Sequence, residues 1–221
     1  MNAGPEAVAV NHRIREQLHT AVVGDVLDAL GRSRQFLPPA IRPLDPELVL
    51  VGRAMPVLMA DVFGPQARPF GALTAALDAL GPDDVYVARG ARTPCAAWGE
   101  ILTAVAQRNG ASGAVIDGYH RDTKLVLDRG FPIFSRGAYG QDAGVRSSVV
   151  DFGVAIEIGP VRIAPGDLVI GDRDGVVIVP AEIEDEVIER ALEKVATESL
   201  VLKDIENGMT ATEAFEQYGV L

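Results

Sequence analysis

At 221 residues, 48% apolar and 23% charged, the chain is long enough to bury a substantial core and is expected to be soluble and globular. Its formal net charge of -11 at pH 7 argues against nucleic acid and anionic membranes as partners, since both need a basic footprint. Small anionic substrates stay open, because they respond to a local field.

The first predicted element is a helix in "IREQLHTAVVGDVLDALG", with Leu18, Val22, Val26, Leu27 and Leu30 on one face, Thr20 as a candidate cap and Gly31 as its end. The loop "FLPPAIRPLDPE" leads into the strand-like "LVLVGRAMPVLM". "GALTAALDALGPDD" reads as a helix stopped at Gly81-Pro82, and "VYVARG" as a short buried strand. "GEILTAVAQRNG" is helical up to Gly110, "GAVIDG" a buried strand, "TKLVLDRG" a short helix and "FPIFSRG" a strand. Apolar strands alternating with helices indicate an α/β chain with parallel pairing. From Ser147 the pattern changes to β segments split by the turn signals Gly159-Pro160, Pro165-Gly166 and Asp174-Gly175. These predict antiparallel hairpins, or strands wrapping onto a second sheet. An acidic helix from about Ala181 to Asn207 closes the pattern, with Ile183, Val187, Ile188, Leu192 and Val195 on its apolar face. That face can pack at home or on a neighbouring subunit. No linker or repeat divides residues 1–221, so a single domain is expected.

The compartment follows from small signals. One cysteine, Cys95, allows no internal disulfide and reads as a small buried residue. "MNAGPEAVAVNHRIREQL" lacks the basic-then-apolar order of a signal peptide, and no apolar run approaches the ~18 residues of a membrane span. A cytoplasmic location is expected.

The chemistry concentrates in "IDGYHRD", Ile116 to Asp122. Asp122 stands just before a helical pattern, where it either caps the helix or, at the carboxyl end of a parallel strand, ligates a metal ion. Arg121 is a solvated surface cation, the salt-bridge partner of an unidentified carboxylate, or a clamp for substrate charge. In "AAWGE", Gly99 and Glu100 open a helix whose free N–H groups at Ile101 and Leu102 can hold a carboxylate. Glu100 there also suits the helix dipole. "GDRDG" lacks the downstream ligands of a calcium loop and reads as a turn. Lys124 shows no sign of the burial a Schiff-base lysine needs, and Asp25 and Asp28 fall on a solvated helix face.

"WGEILTAVAQRNGASGAVIDGYHRD" resembles the signature of the RraA-like family, which includes 4-hydroxy-4-methyl-2-oxoglutarate aldolases with oxaloacetate decarboxylase activity. Gly99, Glu100, Gly110, Gly113, Asp117, Gly118, Arg121 and Asp122 match in order, and "VVGDVLDALG", "VGRAMPV", "PGDLVIGDRDGVVIVP" and "EAFEQYGVL" extend the likeness over most of the chain. The resemblance implies a β/β/α three-layer sandwich of the swivelling phosphohistidine-domain type, assembled as a homotrimer or hexamer. It implies a divalent-metal carbon–carbon lyase whose site lies at a subunit interface. In that reading Asp122 ligates Mg²⁺ or Mn²⁺ and Glu100 holds a metal-bound water. Gly99 and the Ile101 and Leu102 amides bind the carboxylate of a 2-oxo acid, and Arg121 stabilises the enolate. Glu198, with Thr197 before it where the family usually has lysine, corresponds to the glutamate that assists proton removal from the next subunit. The family's other activity implies the alternative: a protein-binding regulator of ribonuclease E without lyase activity.

Overall fold

Why the apolar runs become strands and the amphipathic ones helices is visible in a computed structural model that describes residues 5–220. The predicted first helix is two helices, α1 (Pro5–Gln17) and α2 (Thr20–Ala29). The break has a tertiary cause. The Asp172 carboxylate accepts from both the backbone N–H and the hydroxyl of Thr20, each at 2.7 Å, so α2 is capped by a distant strand. Thr20 is therefore the first helical residue and the recipient of a cap.

After a two-residue strand β1 (Arg42–Pro43) come β2 (Leu50–Asp61), α3 (Leu73–Asp78) and β3 (Asp84–Arg89). Next are β4 (Ala96–Trp98), α4 (Glu100–Arg108), β5 (Gly113–Ile116) and β6 (Tyr119–His120). Then follow α5 (Thr123–Leu127), β7 (Ile133–Ser135) and β8 (Ser147–Phe152). The main sheet runs β1-β7-β5-β3-β2, continuing into the hairpin of β11 (Leu168–Asp172) and β12 (Gly175–Val179). Strands β2, β3, β5 and β7 pair in parallel, as the strand–helix alternation predicts. β8 returns antiparallel onto the far part of β2, after a shift of register between Leu58 and Met59. The "GDRDG" segment is the β11–β12 turn, with Asp172 opposite Gly175. Arg42 of β1 donates to the Asp174 carbonyl in that turn, at 2.7 Å, which draws the two ends of the sheet together.

Three apolar clusters hold these layers. On one face β9 (Ile156–Ile158) and β10 (Val161–Ile163), a separate antiparallel pair, pack Ile158, Val161 and Ile163 against Val87, Val115 and Phe134. On the other, helix residues such as Leu77, Ala106 and Val126 meet Tyr86, Ile116 and Trp98. The third joins α2 to α6 (Glu184–Glu206) over the β11–β12 hairpin. Burying side chains of this size stabilises by ~1.5–3 kcal/mol each, and Val87, Ile116, Ile158 and Phe134 have no accessible surface. The first turns of α6 pack at home through Val187, Ile188 and Ala191, whereas Leu200 and Leu202 further along are 56% and 61% exposed. A last helix, α7 (Ala211–Tyr218), follows. Among the described residues no helix is long and apolar enough to cross a membrane.

Candidate active site

The two sequence motifs meet because β4 and β6 form a two-stranded parallel ribbon, with Ala96 opposite Tyr119 and Trp98 opposite His120. The Arg121 N–H donates to the Trp98 carbonyl at 2.9 Å, so the ends of both strands are locked in register. "WGE" therefore lies beside "HRD". Beneath the ribbon, His120 is buried with Nδ1 2.7 Å from Ser135 Oγ, and burial holds its pKa below the ordinary imidazole range.

Asp122 occupies the N-cap position of α5, with left-handed backbone (φ 58°), yet its side chain makes no capping bond to that helix. Its Oδ2 instead accepts from the Glu100 N–H at 3.2 Å, at the start of α4. Gly99 makes the approach possible: a Cβ there would lie 2.7 Å from Asp122 Oδ2. The local expectation of a helix cap thus holds in position and fails in bonding. The carboxylate serves the neighbouring helix.

Arg121 is oriented by two carboxylates. Its Nε lies 3.8 Å from Asp122 Oδ2, and an Nη lies 2.9 Å from Asp142 Oδ1. Asp142 is held in turn by the Gly144 N–H at 2.8 Å. Asp142 is not among the residues the sequence singles out; the Ala96 N–H to Gln141 carbonyl bond and an isolated bridge between Ala96 and Asp142 bring it to β4. Trp98 and Thr103 brace the helix start. The indole N–H donates to Thr103 Oγ1 at 2.8 Å, and that hydroxyl donates to the Gly99 carbonyl at 3.0 Å.

A cavity of about 240 Å³ is bordered by Gly99, Ile101, Leu102, Arg121, Asp122 and Asp142. Helix geometry leaves the Ile101 and Leu102 N–H groups without intrahelical acceptors, and they sit at the positive end of α4. Glu100 is turned to Arg129, 3.0 Å away, and is not part of the lining. Glu198 lies on α6, 3.4 Å from Lys194, and is also outside this cavity of its own chain. Lys124 pairs with Asp128 on the surface, and Cys95 is buried 3.4 Å from Ser147 Oγ.

Among the described residues no three His, Cys, Asp or Glu side chains gather into a metal cage. Of the two carboxylates lining the cavity, Asp142 is paired with Arg121 at 2.9 Å, and Asp122 carries a single hydrogen bond, on one oxygen. That donor set fits a hard divalent ion such as Mg²⁺ or Mn²⁺, which keeps several waters and takes further oxygens from substrate.

The matched family model, RraA-like (Aldolase/RraA), covers residues 20–178. The chain belongs to the RraA-like family. It is 32% identical over 198 residues to a Halalkalibacterium halodurans protein named "Putative 4-hydroxy-4-methyl-2-oxoglutarate aldolase", covering 89% of each chain. A crystal structure of an uncharacterized protein from Pseudomonas syringae superposes with TM-score 0.85 at 33% identity, covering 99% of this chain and 98% of that one. Streptomyces coelicolor RraAS2, described as an unusual member of the RNase ES inhibitor RraA family, gives TM-score 0.80 at 25% identity, covering 92% of this chain and 100% of that one. Legionella pneumophila Protein DlpA is 28% identical across 90% of this chain, which spans about a third (32%) of DlpA.

Proposed function

We propose that this RraA-like chain, on a β/β/α sandwich of the swivelling phosphohistidine type, is a divalent-metal-dependent carbon–carbon lyase acting on a 2-oxo acid through a pyruvate enolate. The observation that carries the proposal is convergence: Arg121, Asp122 and the free Ile101 and Leu102 amides border one cavity. Asp122 would hold Mg²⁺ or Mn²⁺, and Glu100 would reach it through water. When bound, the ion supplies Lewis-acid polarisation of the 2-oxo group.

The protein's own groups supply the rest. The Ile101 and Leu102 N–H groups donate to the C1 carboxylate, with Gly99 allowing close approach. When the C3–C4 bond breaks, its electron pair passes into the enolate and negative charge grows on the C2 oxygen. Arg121, held in place by Asp142, faces that charge; stabilisation of a developing oxyanion is worth about 10²–10³ in rate per donor. In an aldol substrate the C4 hydroxyl loses its proton. We assign its removal, through water, to Glu198 of an adjoining subunit in a homotrimer or hexamer in the cytoplasm. In oxaloacetate the same bond cleavage releases CO₂. The exposed Leu202, one turn on from Glu198 and on the same face of α6, supports a subunit contact there.

A coupled pyruvate-release assay over several 2-oxo acids, with and without Mg²⁺ or Mn²⁺, tests the proposal. Release that requires the ion supports it. The likeness to RraAS2 favours one rival, a protein-binding regulator of ribonuclease activity. Tight binding to a ribonuclease E, with no release from any 2-oxo acid, selects that reading instead.

A further inference from the structure

The cavity has a second kind of wall. Met59, Phe70, Leu73 and Val149 line it together with the polar residues, and Met59 and Val149 are buried. Among the described residues its only charged lining side chains are Arg121, Asp122 and Asp142, and Arg121 already pairs with both carboxylates. Placed against this wall, a second substrate carboxylate would lose hydration, while this chain's own lining offers it the Ser147 and Ser148 hydroxyls and no unpaired cation. An alkyl or aryl group there would gain by leaving water.

Phe70 is fixed in the wall despite an unfavourable backbone. Its φ of 61° lies in the left-handed region, uncommon for a bulky residue, and such strain persists where the surroundings impose it. Here β8 imposes it: the Val149 N–H donates to the Phe70 carbonyl at 3.1 Å, and the Ala72 N–H donates to the Val149 carbonyl at 3.0 Å. Gly144 leaves room for the ring, since a Cβ at that position would stand 3.3 Å from two of its carbons. The same Gly144 N–H holds Asp142, so the ring and the brace of Arg121 are positioned together.

We infer that Met59, Phe70, Leu73 and Val149 form the subsite for the group on C4. The preferred substrates are then 4-hydroxy-2-oxo acids with an alkyl or aryl C4 substituent rather than a second carboxylate. The inference rests on the lyase reading and narrows its substrate class. In the reaction the C3–C4 bond breaks, and its electrons stay on the pyruvate fragment as the enolate. The C4 hydroxyl gives up its proton and an apolar aldehyde leaves. A proton from water completes the methyl group of pyruvate.

The test compares kcat/KM for pyruvate release, with Mg²⁺ present, from 4-hydroxy-2-oxohexanoate, 4-hydroxy-2-oxo-4-phenylbutanoate and 4-hydroxy-4-methyl-2-oxoglutarate. The expected result is an advantage of about tenfold or more for the two apolar compounds. Phe70→Ala is expected to reduce that advantage about tenfold, and Phe70→Arg to move the preference toward the dicarboxylate, with circular dichroism reporting on folding. If neither variant folds, the ranking by the parent protein decides the matter. An equal or better rate on the dicarboxylate overturns this inference and leaves the lyase reading standing. No pyruvate from any 2-oxo acid overturns both.

Discussion

The carboxylate of Asp122 lies 3.2 Å from the backbone nitrogen of Glu100, so it serves the start of α4 and not the helix that follows it in sequence. This places a carboxylate beside the N–H groups of a helix end, the two features that the proposed function assigns to an ion and to a substrate carboxylate. The arrangement depends on Gly99.

Gly99→Ala follows directly. The new methyl would stand 2.7 Å from Asp122 Oδ2 and 3.3 Å from the Arg121 side chain, so one of them must move. A stability loss of ~1–3 kcal/mol is expected from overpacking. Activity is expected to fall further than that loss explains, because the displaced groups are the two to which the proposed function assigns the ion and the enolate. Urea denaturation beside steady-state kinetics separates the two effects.

Arg121→Ala is expected to lower kcat by about 10²–10³ while changing KM far less, since the proposed mechanism has the guanidinium act on charge that appears in the transition state. The same steady-state analysis reads the split. A large rise in KM at unchanged kcat would assign Arg121 to substrate binding alone.

Thr103→Val keeps the shape but leaves the buried Trp98 indole N–H without its acceptor. A loss of ~1–3 kcal/mol is expected for an unsatisfied buried donor. Thr103→Ser should recover most of it. Denaturation midpoints of the two variants provide the check.

How much of this was legible beforehand depends on how local each signal is. The parallel strands, the α4 start at Gly99 and the Arg121–Asp122 pair each lie in one continuous stretch, and all three were readable. β4 and β6 span only Ala96–Trp98 and Tyr119–His120, too short for any periodicity, yet they bring the motifs together. Asp142 and Phe70 reach the cavity through hydrogen bonds to segments distant in sequence, which composition cannot show. α7 is a different case. Thr210 and Glu213 form a capping box there, a local signal that the sequence carries in the Thr-x-x-Glu spacing itself.

Asp61 gives a pH prediction. Hydrogen bonds from the Thr93 hydroxyl and N–H, then from the Arg92 N–H, hold its carboxyl below the usual range. A depressed carboxyl contributes stability above its unfolded pKa of about 3.9 and loses it as pH falls through the lower folded value. Asp61→Asn should therefore be less stable than the parent at pH 7, with the gap closing below about pH 3.9. Urea midpoints measured across that interval decide it, and a gap that widens in acid would contradict the assignment.

Pyruvate release from the best 2-oxo acid, followed as Mg²⁺ is titrated into chelator-treated protein, bears most directly on the central claim, with Asp122→Asn run alongside. The account predicts a rate that rises with the ion in the parent and stays about 100-fold or more lower in the folded variant. Full activity in excess chelator, or a variant as fast as the parent, would contradict it.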